Sequence, residues 1–177
     1  MYWYILFVKT GREQKVEQFL KKRLDTDIFF PFIPLAERLF KISGILKKEL
    51  KPLFPGYVFI ESEVSEQEFI KRVRVQIYDS NDIVHILKYS DTEIAVRESE
   101  KQMLLNLCHE DHYIKSSSGV IVGDRIHITS GALKGWESIV RKVNRHKRQA
   151  WVELEFMGAL RMVTVAFEIV SKVSDAQ

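Results

Sequence analysis

The sequence predicts an α+β protein with two domains. Helix-like and strand-like patterns alternate up to residue 107, a polar break follows at residues 108–118, and only short strand-like runs occur after it. At 177 residues the chain has room for two small domains. We therefore expect an α+β domain over residues 1–107, a linker over 108–118 and an all-β domain over 119–173.

The N-terminal half begins with an apolar strand, Tyr2–Val8, followed by "REQKVEQFLKKRL", whose apolar residues fall on one helical face. Prolines and glycines between Pro31 and Gly56 interrupt β-rich runs and indicate short strands and hairpins. "SEQE" from Ser65 predicts a capping box that opens a second helix. "DIVHIL" predicts another strand, and "ESEKQMLLNL" a third helix.

The C-terminal half reads as short strands without helices, which is typical of a small five-stranded barrel. Its β-branched residues favour strands over an alternative helical fold. The expected strands lie around 125–128, 139–143, 150–156, 160–165 and 168–170.

Two N-terminal strands are apolar on both faces, whereas a sheet packed by helices on one face usually alternates apolar with polar residues. Tyr57 and Phe59 share one face of "GYVFIE". Three short helices cover one face of such a sheet, so the other face is expected to bind a partner. The alternative is that residues 35–53 fold over that face.

A dense positive charge lies in Arg141–Arg148, which we call the basic segment. It holds five Lys/Arg and His146 in eight positions, and residues 119–173 carry nine basic against five acidic groups, a net charge of +4. This pattern suits a phosphate-bearing partner. A solvated loop that serves only solubility is the alternative.

Several classes of protein are disfavoured. No apolar run reaches the roughly 20 residues that span a bilayer, and the N-terminus lacks the features of a signal peptide. The single cysteine, Cys108, excludes an intramolecular disulfide and favours a reducing, cytoplasmic compartment. We expect a monomer.

No catalytic, cofactor or metal site is expected. The sequence has no nucleophile elbow, phosphate-binding loop or paired-cysteine motif, and His127 lies in the middle of a predicted strand. "CHEDHY" brings Cys108, His109, Asp111 and His112 together, but structural zinc sites need four well-spaced ligands. Zinc binding there is a weak alternative.

Three stretches, "YWYILFVKTGREQKVEQFL", "PLFPGYVFIE" and "GDRIHITSGALKGWESIVRKV", resemble in order and spacing the NusG transcription elongation factor family. The first two are similar to its NGN domain, and the third to its KOW motif in an SH3-like barrel. The resemblance implies docking on the clamp helices of the largest RNA polymerase subunit, which would suppress pausing and termination without catalysis. The residues implied for that pocket are Phe7, Tyr57, Phe59 and Ile86, while Lys71, Arg72 and Arg74 are candidates for contact with the second large subunit.

The chain departs from general NusG at Ser138, where a glycine is usual, and at Met157 and Ala159 in the segment that contacts Rho and ribosomal protein S10. With the basic segment, these departures resemble the LoaP-type antiterminators, which implies recognition of an RNA hairpin in the nascent transcript. A general NusG-type factor that binds Rho or S10 remains the alternative. The candidate RNA-binding residues are Lys134, Trp136, Arg141, Lys142, Asn144, Arg145, His146, Lys147 and Arg148.

Overall fold

The computed structural model describes residues 1–108 and 110–173 and groups the chain into two compact units. The first consists of Met1–Pro34 and Phe54–Met103, and the second of Leu35–Leu53 and the described residues from Leu104 onward. The elements in chain order are β1 (Tyr2–Val8), α1 (Glu13–Arg23), β2 (Phe29–Phe32), β3 (Leu35–Ile42), β4 (Ile45–Pro52), β5 (Tyr57–Ser62), α2 (Glu66–Asp79), β6 (Ile83–Ile86), α3 (Glu98–Leu107), β7 (Tyr113–Ile114), β8 (Ser117–Val122), β9 (Arg125–Ser130), a 3₁₀ turn (Glu137–Ile139), β10 (Val140–Asn144), β11 (Gln149–Phe156) and β12 (Ala159–Val173).

The first unit contains a four-stranded antiparallel sheet in the order β2-β5-β1-β6. Helices α1 and α2 lie close to its strands, and on the β1 face that points toward them the ring of Tyr4 stacks on Phe69 at 3.9 Å. The predicted cap of α2 is confirmed, because the Ser65 hydroxyl accepts a hydrogen bond from the Glu68 N–H at 3.4 Å. The mixed α+β class predicted for this half is confirmed as well.

In the second unit, β3 and β4 form a hairpin closed by Ser43 and Gly44, both with positive φ (51° and 80°). Such a two-residue turn matches the twist of paired strands. At the base of the hairpin, the Arg38 guanidinium donates to the Thr164 carbonyl, and the Glu37 carboxylate accepts from the Ser116 N–H at 2.7 Å. Residues 41–51, which form the distal half of the hairpin, are exposed.

The C-terminal strands form a five-stranded sheet in the order β10-β11-β12-β8-β9. The long strand β12 pairs with β11 antiparallel and with β8 parallel, so the two predicted strands at 160–165 and 168–170 are one. Strand β8 begins at Ser117, inside the predicted linker. Among the described residues β9 and β10 do not pair with each other, so the hydrogen-bonded sheet is open and the predicted barrel closure is not confirmed.

Gly119 on β8 lies where no side chain fits. A Cβ atom there would be 2.4 Å from the His127 carbonyl oxygen and 2.9 Å from Cζ of Phe167. We expect Gly119→Ala to lower the free energy of unfolding by about 1–3 kcal/mol, because the neighbouring backbone must move. Urea denaturation measures this, with Ser171→Ala on the exposed end of β12 as the control. An unchanged midpoint for Gly119→Ala would contradict this packing.

Candidate functional site

Three aromatic side chains on neighbouring strands form what we call the aromatic patch: Phe7 on β1, Tyr57 on β5 and His85 on β6. The pairings Phe7–Tyr57 and Phe7–His85 place the three side chains on one face of the sheet. Their ring centroids lie 5.5 Å and 5.3 Å apart, respectively. Phe7 and Tyr57 are half-buried and His85 is exposed, so the patch is accessible to a partner.

Ile86 does not belong to this patch, and its predicted place there is wrong. Ile86 pairs with Leu6, whose side chain points to the opposite face from Phe7. Phe7 pairs with His85 in the same register, so His85 takes this place beside Phe7, and the register shifts only beyond Phe7. Nothing local in the sequence indicates which residue of β6 lies opposite Phe7, so His85 was not predicted.

Phe59 lies on the same face as Tyr57 but is fully buried, so the expectation that it is exposed is wrong. The rings of Trp3, Phe32 and Phe54 surround it at centroid distances of 5.9, 5.5 and 6.2 Å. These rings cover the Trp3 end of the face, and only the Phe7 end stays open. Phe59 thus forms part of the packed floor beside the aromatic patch.

The turn that leads into Tyr57 is held by Glu13, a residue that the sequence did not single out. Glu13 is 4% exposed, and its carboxylate accepts a hydrogen bond from the Gly56 N–H at 2.6 Å. The Gly56 carbonyl in turn accepts from the Val8 N–H at 2.8 Å, and φ of Gly56 is 89°. A charge-assisted bond of this kind fixes the start of β5 against β1 and so positions Tyr57 beside Phe7.

We expect Glu13→Ala to lower the free energy of unfolding by about 1.5–3 kcal/mol, because the buried Gly56 N–H loses its charged acceptor. Chemical denaturation measures this, and Glu17→Ala on the same helix is the control because Glu17 pairs with Lys21 at the surface. Equal effects of the two substitutions would contradict the role of Glu13.

The three cations predicted on α2, Lys71, Arg72 and Arg74, are all exposed. Arg72 is paired with Glu68, one turn earlier, with 2.5 Å between Nε and Oε1. The Arg74 guanidinium lies 5.6 Å from the centroid of the Tyr78 ring. The helix therefore presents a positive face on which the charge of Arg72 is already partly compensated.

The basic segment forms most of β10 and the four-residue turn that leads into β11. Asn144 pairs with Gln149, and the turn comprises Arg145–Arg148. Two hydrogen bonds within the turn fix its shape. Oδ1 of Asn144 accepts one from the Lys147 N–H at 2.9 Å, and the Arg148 N–H donates the other to the Arg145 carbonyl at 3.3 Å. Asn144, predicted to contact RNA, thus has its acceptor engaged in shaping the turn.

The charges of the segment divide into two groups. Arg141 is bound to Glu153 with 2.7 Å between Nη2 and Oε1, and Nε of Arg148 lies 3.8 Å from the Glu168 carboxylate. Within the part of the chain that the structure describes, Arg145, His146 and Lys147 form no ion pair, and all three are exposed. The tip of the turn therefore presents cations that are open to an anionic partner.

Lys142 and Trp151 face each other across the β10–β11 hairpin, with the Lys142 ammonium 5.6 Å from the ring centroid. Trp151 is half-buried, and an aromatic ring beside a basic turn offers a surface on which a base can stack. Trp151 was not among the candidate RNA-binding residues predicted from the sequence. A hairpin with a four-residue turn at Arg145–Arg148 places Trp151 directly opposite Lys142, and this pairing is the signal that could have identified Trp151.

Lys134 and Trp136 lie in the loop before the 3₁₀ turn, where Lys134 is exposed and Trp136 half-buried. Strand β10 starts at Val140, after this loop, and ends at Asn144, before the basic turn. The two connections are therefore at opposite ends of β10, about 16 Å of extended chain. Lys134 and Trp136 therefore lie at the other end of β10 from the basic turn, and RNA contact by them stays a prediction.

The weak zinc alternative gains no support. The described residues contain no group of three or more His, Cys, Asp and Glu that could hold a metal ion, and His109 lies outside them. Burial raises the pKa of the Cys108 thiol to about 12, which disfavours the thiolate that zinc requires.

Of the helices in the described ranges, none has the length and apolar character to cross a membrane.

Comparison with known proteins decides the family. The model of the family described as "Transcription termination factor nusG" matches residues 1–105, more than half of the chain. The chain belongs to the NusG family. NusG-family proteins are transcription termination and antitermination factors that bind RNA polymerase and have no enzymatic activity. Membership of the NusG family therefore confirms the prediction that the chain is not an enzyme.

Curated relatives extend the likeness beyond the family model. The chain is similar to the transcription termination/antitermination protein NusG of Thermus thermophilus, with 24% identity over 180 residues, 96% of this chain and 97% of that protein. The NusG proteins of Staphylococcus carnosus and Haemophilus influenzae are 25% and 23% identical over 96% and 97% of this chain, respectively. These alignments include the C-terminal strands that carry the basic segment.

Proposed function

We propose that this NusG-family protein is an antitermination factor that binds RNA polymerase with its aromatic patch and a hairpin of the nascent RNA with its basic segment. The patch would dock on the clamp helices of the largest polymerase subunit and so suppress pausing and termination. The C-terminal strands would act as a KOW-type, SH3-like barrel. The observation that carries the proposal is the ordered turn whose tip presents Arg145, His146 and Lys147 to solvent.

The aromatic patch supports docking because a few aromatic side chains can supply most of the binding energy of a small interface. Phe7 and Tyr57 are packed against each other and rest on a buried floor that includes Phe59, so little conformational freedom is lost on binding. The exposed cations of α2, above all Lys71, are candidates for a second contact with the polymerase. Their contribution is electrostatic and depends on salt concentration.

The basic segment supports RNA binding because each lysine or arginine that meets a phosphate releases a counterion. A hairpin RNA is recognised through its backbone, its shape and its unpaired bases. The turn presents cations at its tip, while Trp151 and Lys142 on the flanking strands add a stacking surface. These features support a specialised factor of the LoaP type.

The alternative is a general NusG-type factor whose C-terminal strands bind Rho or ribosomal protein S10. The segment concerned, Phe156–Ala159, is the turn between β11 and β12. Phe156 is 3% exposed, so its ring belongs to the core, and Met157 and Gly158 adopt positive φ (50° and 74°). With methionine in place of the aromatic at 157 and alanine in place of the arginine at 159, we expect purified S10 and Rho to bind this chain more weakly than they bind a general NusG in a pull-down.

In vitro transcription through an intrinsic terminator tests the proposal. The template is prepared with and without an upstream leader that folds into the RNA hairpin that the protein binds most tightly. We expect the full chain to increase readthrough on the template with the leader, and to have a much smaller effect without it. Equal readthrough on both templates would favour the general factor, and no effect on either would exclude antitermination.

A further inference from the structure

Beside the turn of the basic segment lies a cavity of about 340 Å³ lined by Arg145, His146, Arg148, Glu168 and Ile169. We propose that this cavity holds one unpaired guanine of the bound RNA and that Glu168 recognises its Watson–Crick edge. The inference rests on the proposed RNA-binding function and assigns a base-reading role to a residue outside the basic segment.

The position of Glu168 suits this role. The Phe167 N–H donates to the Arg148 carbonyl at 3.0 Å, which fixes this part of β12 against the turn. The Glu168 side chain is 42% exposed, and its closest approach to Nε of Arg148 is 3.8 Å. That separation is too long for a direct hydrogen bond, so the carboxylate keeps its capacity to accept from a ligand.

A carboxylate beside phosphate-binding cations repels the RNA backbone, so its presence in an RNA-binding surface requires an explanation. It lowers affinity for RNA in general while it favours any ligand that offers donors to it, which is how binding sites gain specificity. An ionised carboxylate only accepts hydrogen bonds. The cavity therefore selects for a base edge with N–H groups and against an edge made of carbonyl oxygens.

Guanine fits this requirement better than the other bases. Its Watson–Crick edge carries N1–H and the 2-amino group side by side, which match the two oxygens of one carboxylate. Adenine and cytosine offer one amino group next to an acceptor nitrogen, and uracil has a single N–H between two carbonyls. That edge is occupied in a duplex, so the guanine must come from a loop or bulge, where proteins read RNA bases.

The basic side chains around the cavity complete the site. Arg145 and His146 are exposed on the turn and can meet the phosphates on either side of an extruded nucleotide. Arg148 is only 23% exposed, and its planar guanidinium can stack on the base. The backbone contacts supply affinity, and Glu168 supplies the choice of base.

The test uses a pool of RNA hairpins with randomised loops, selected separately on the full-length wild-type chain and on Glu168→Gln. We expect the wild type to enrich guanine at one loop position and Glu168→Gln to lose this preference. Replacing that guanine by inosine, which lacks the 2-amino group, is expected to weaken wild-type binding about tenfold or more, as for a lost base-specific contact. The same replacement should leave the binding of Glu168→Gln almost unchanged.

A matched control separates base reading from simple charge. Glu155→Gln removes the same charge at the far end of β11, and it should preserve both the affinity and the discrimination between guanine and inosine. On polyuridylate, Glu168→Gln should bind more tightly than the wild type, because a repulsive charge is lost. The substitution is thus expected to change affinity in opposite directions for the selected hairpin and for polyuridylate.

Four results would overturn the inference, the last of them together with the RNA-binding function. If Glu168→Gln lowers the affinity for every RNA equally, Glu168 only positions Arg148. If it raises the affinity for every RNA equally, Glu168 only repels phosphates. An unchanged preference for guanine would exclude Glu168 as the reader while RNA binding stands. Failure of the wild type to enrich any hairpin would instead remove the RNA-binding function, and this inference with it.

Discussion

Replacing Arg145 and Lys147 together by alanine is expected to lower the affinity for the hairpin RNA by about tenfold or more and to reduce the salt dependence of binding by about two counterions. Both side chains are exposed at the tip of the basic turn, and among the described residues neither forms an ion pair. The turn itself is held by the Asn144 side chain and the backbone, so its shape should survive. Fluorescence titration at several salt concentrations measures both quantities.

The control for this variant removes two positive charges elsewhere in the same unit. Arg125→Ala with Lys172→Ala leaves the basic segment intact, and both residues are exposed. We expect only a small loss of RNA affinity, from the change in overall charge. If the control variant weakens binding as much as the Arg145/Lys147 variant, the turn is not the RNA-binding site.

Phe7→Ala and Tyr57→Ala are each expected to weaken binding to RNA polymerase by about 2 kcal/mol, roughly 30-fold, because each removes an aromatic anchor from the aromatic patch. His85→Ala should have a smaller effect, since His85 is at the exposed edge of the patch. Surface plasmon resonance with immobilised core polymerase measures these affinities.

Tyr2→Ala is the control for the patch variants, because Tyr2 is an aromatic residue on the same strand that is 49% exposed. Its removal should leave polymerase binding unchanged. A thermal melt of each variant shows whether lost binding reflects lost folding, since Phe7 also packs against the sheet. Polymerase affinity that is equal for Tyr57→Ala and Tyr2→Ala would place the docking surface elsewhere.

Local signals in the sequence were sufficient for most of the N-terminal fold. The apolar periodicity of α1, the cap at Ser65 and the turn residues Ser43 and Gly44 act within a few positions, and the structure contains each feature. The long strand β12 was divided in the prediction. Two partners on different stretches, β11 and β8, stabilise one continuous strand, and that is a tertiary effect.

The candidate sites were only partly predictable for the same reason. Strand alternation gives the faces of Phe7 and Tyr57, but the strand pairing that sets His85 rather than Ile86 opposite Phe7 has no local signature. The burial of Phe59 depends on aromatic residues from distant parts of the chain.

Sequence also located the charges of the basic segment but not their partners. The ion pair of Arg141 with Glu153 spans a hairpin, and the approach of Arg148 to Glu168 joins two strands far apart in sequence. These contacts decide which cations stay open to a ligand, and they can be read only from the fold.

The most direct test of the division between the two surfaces is terminator readthrough on a single template that carries the selected hairpin leader, with three proteins compared. We expect the wild type to increase readthrough on this template, Tyr57→Ala to lose the increase, and the Arg145/Lys147 variant to lose it at limiting protein but recover it at high concentration. Recovery is expected because the RNA contact only recruits the protein, and a higher protein concentration replaces that recruitment. The polymerase contact is the one that suppresses termination. Full activity of either variant at limiting protein would contradict this account.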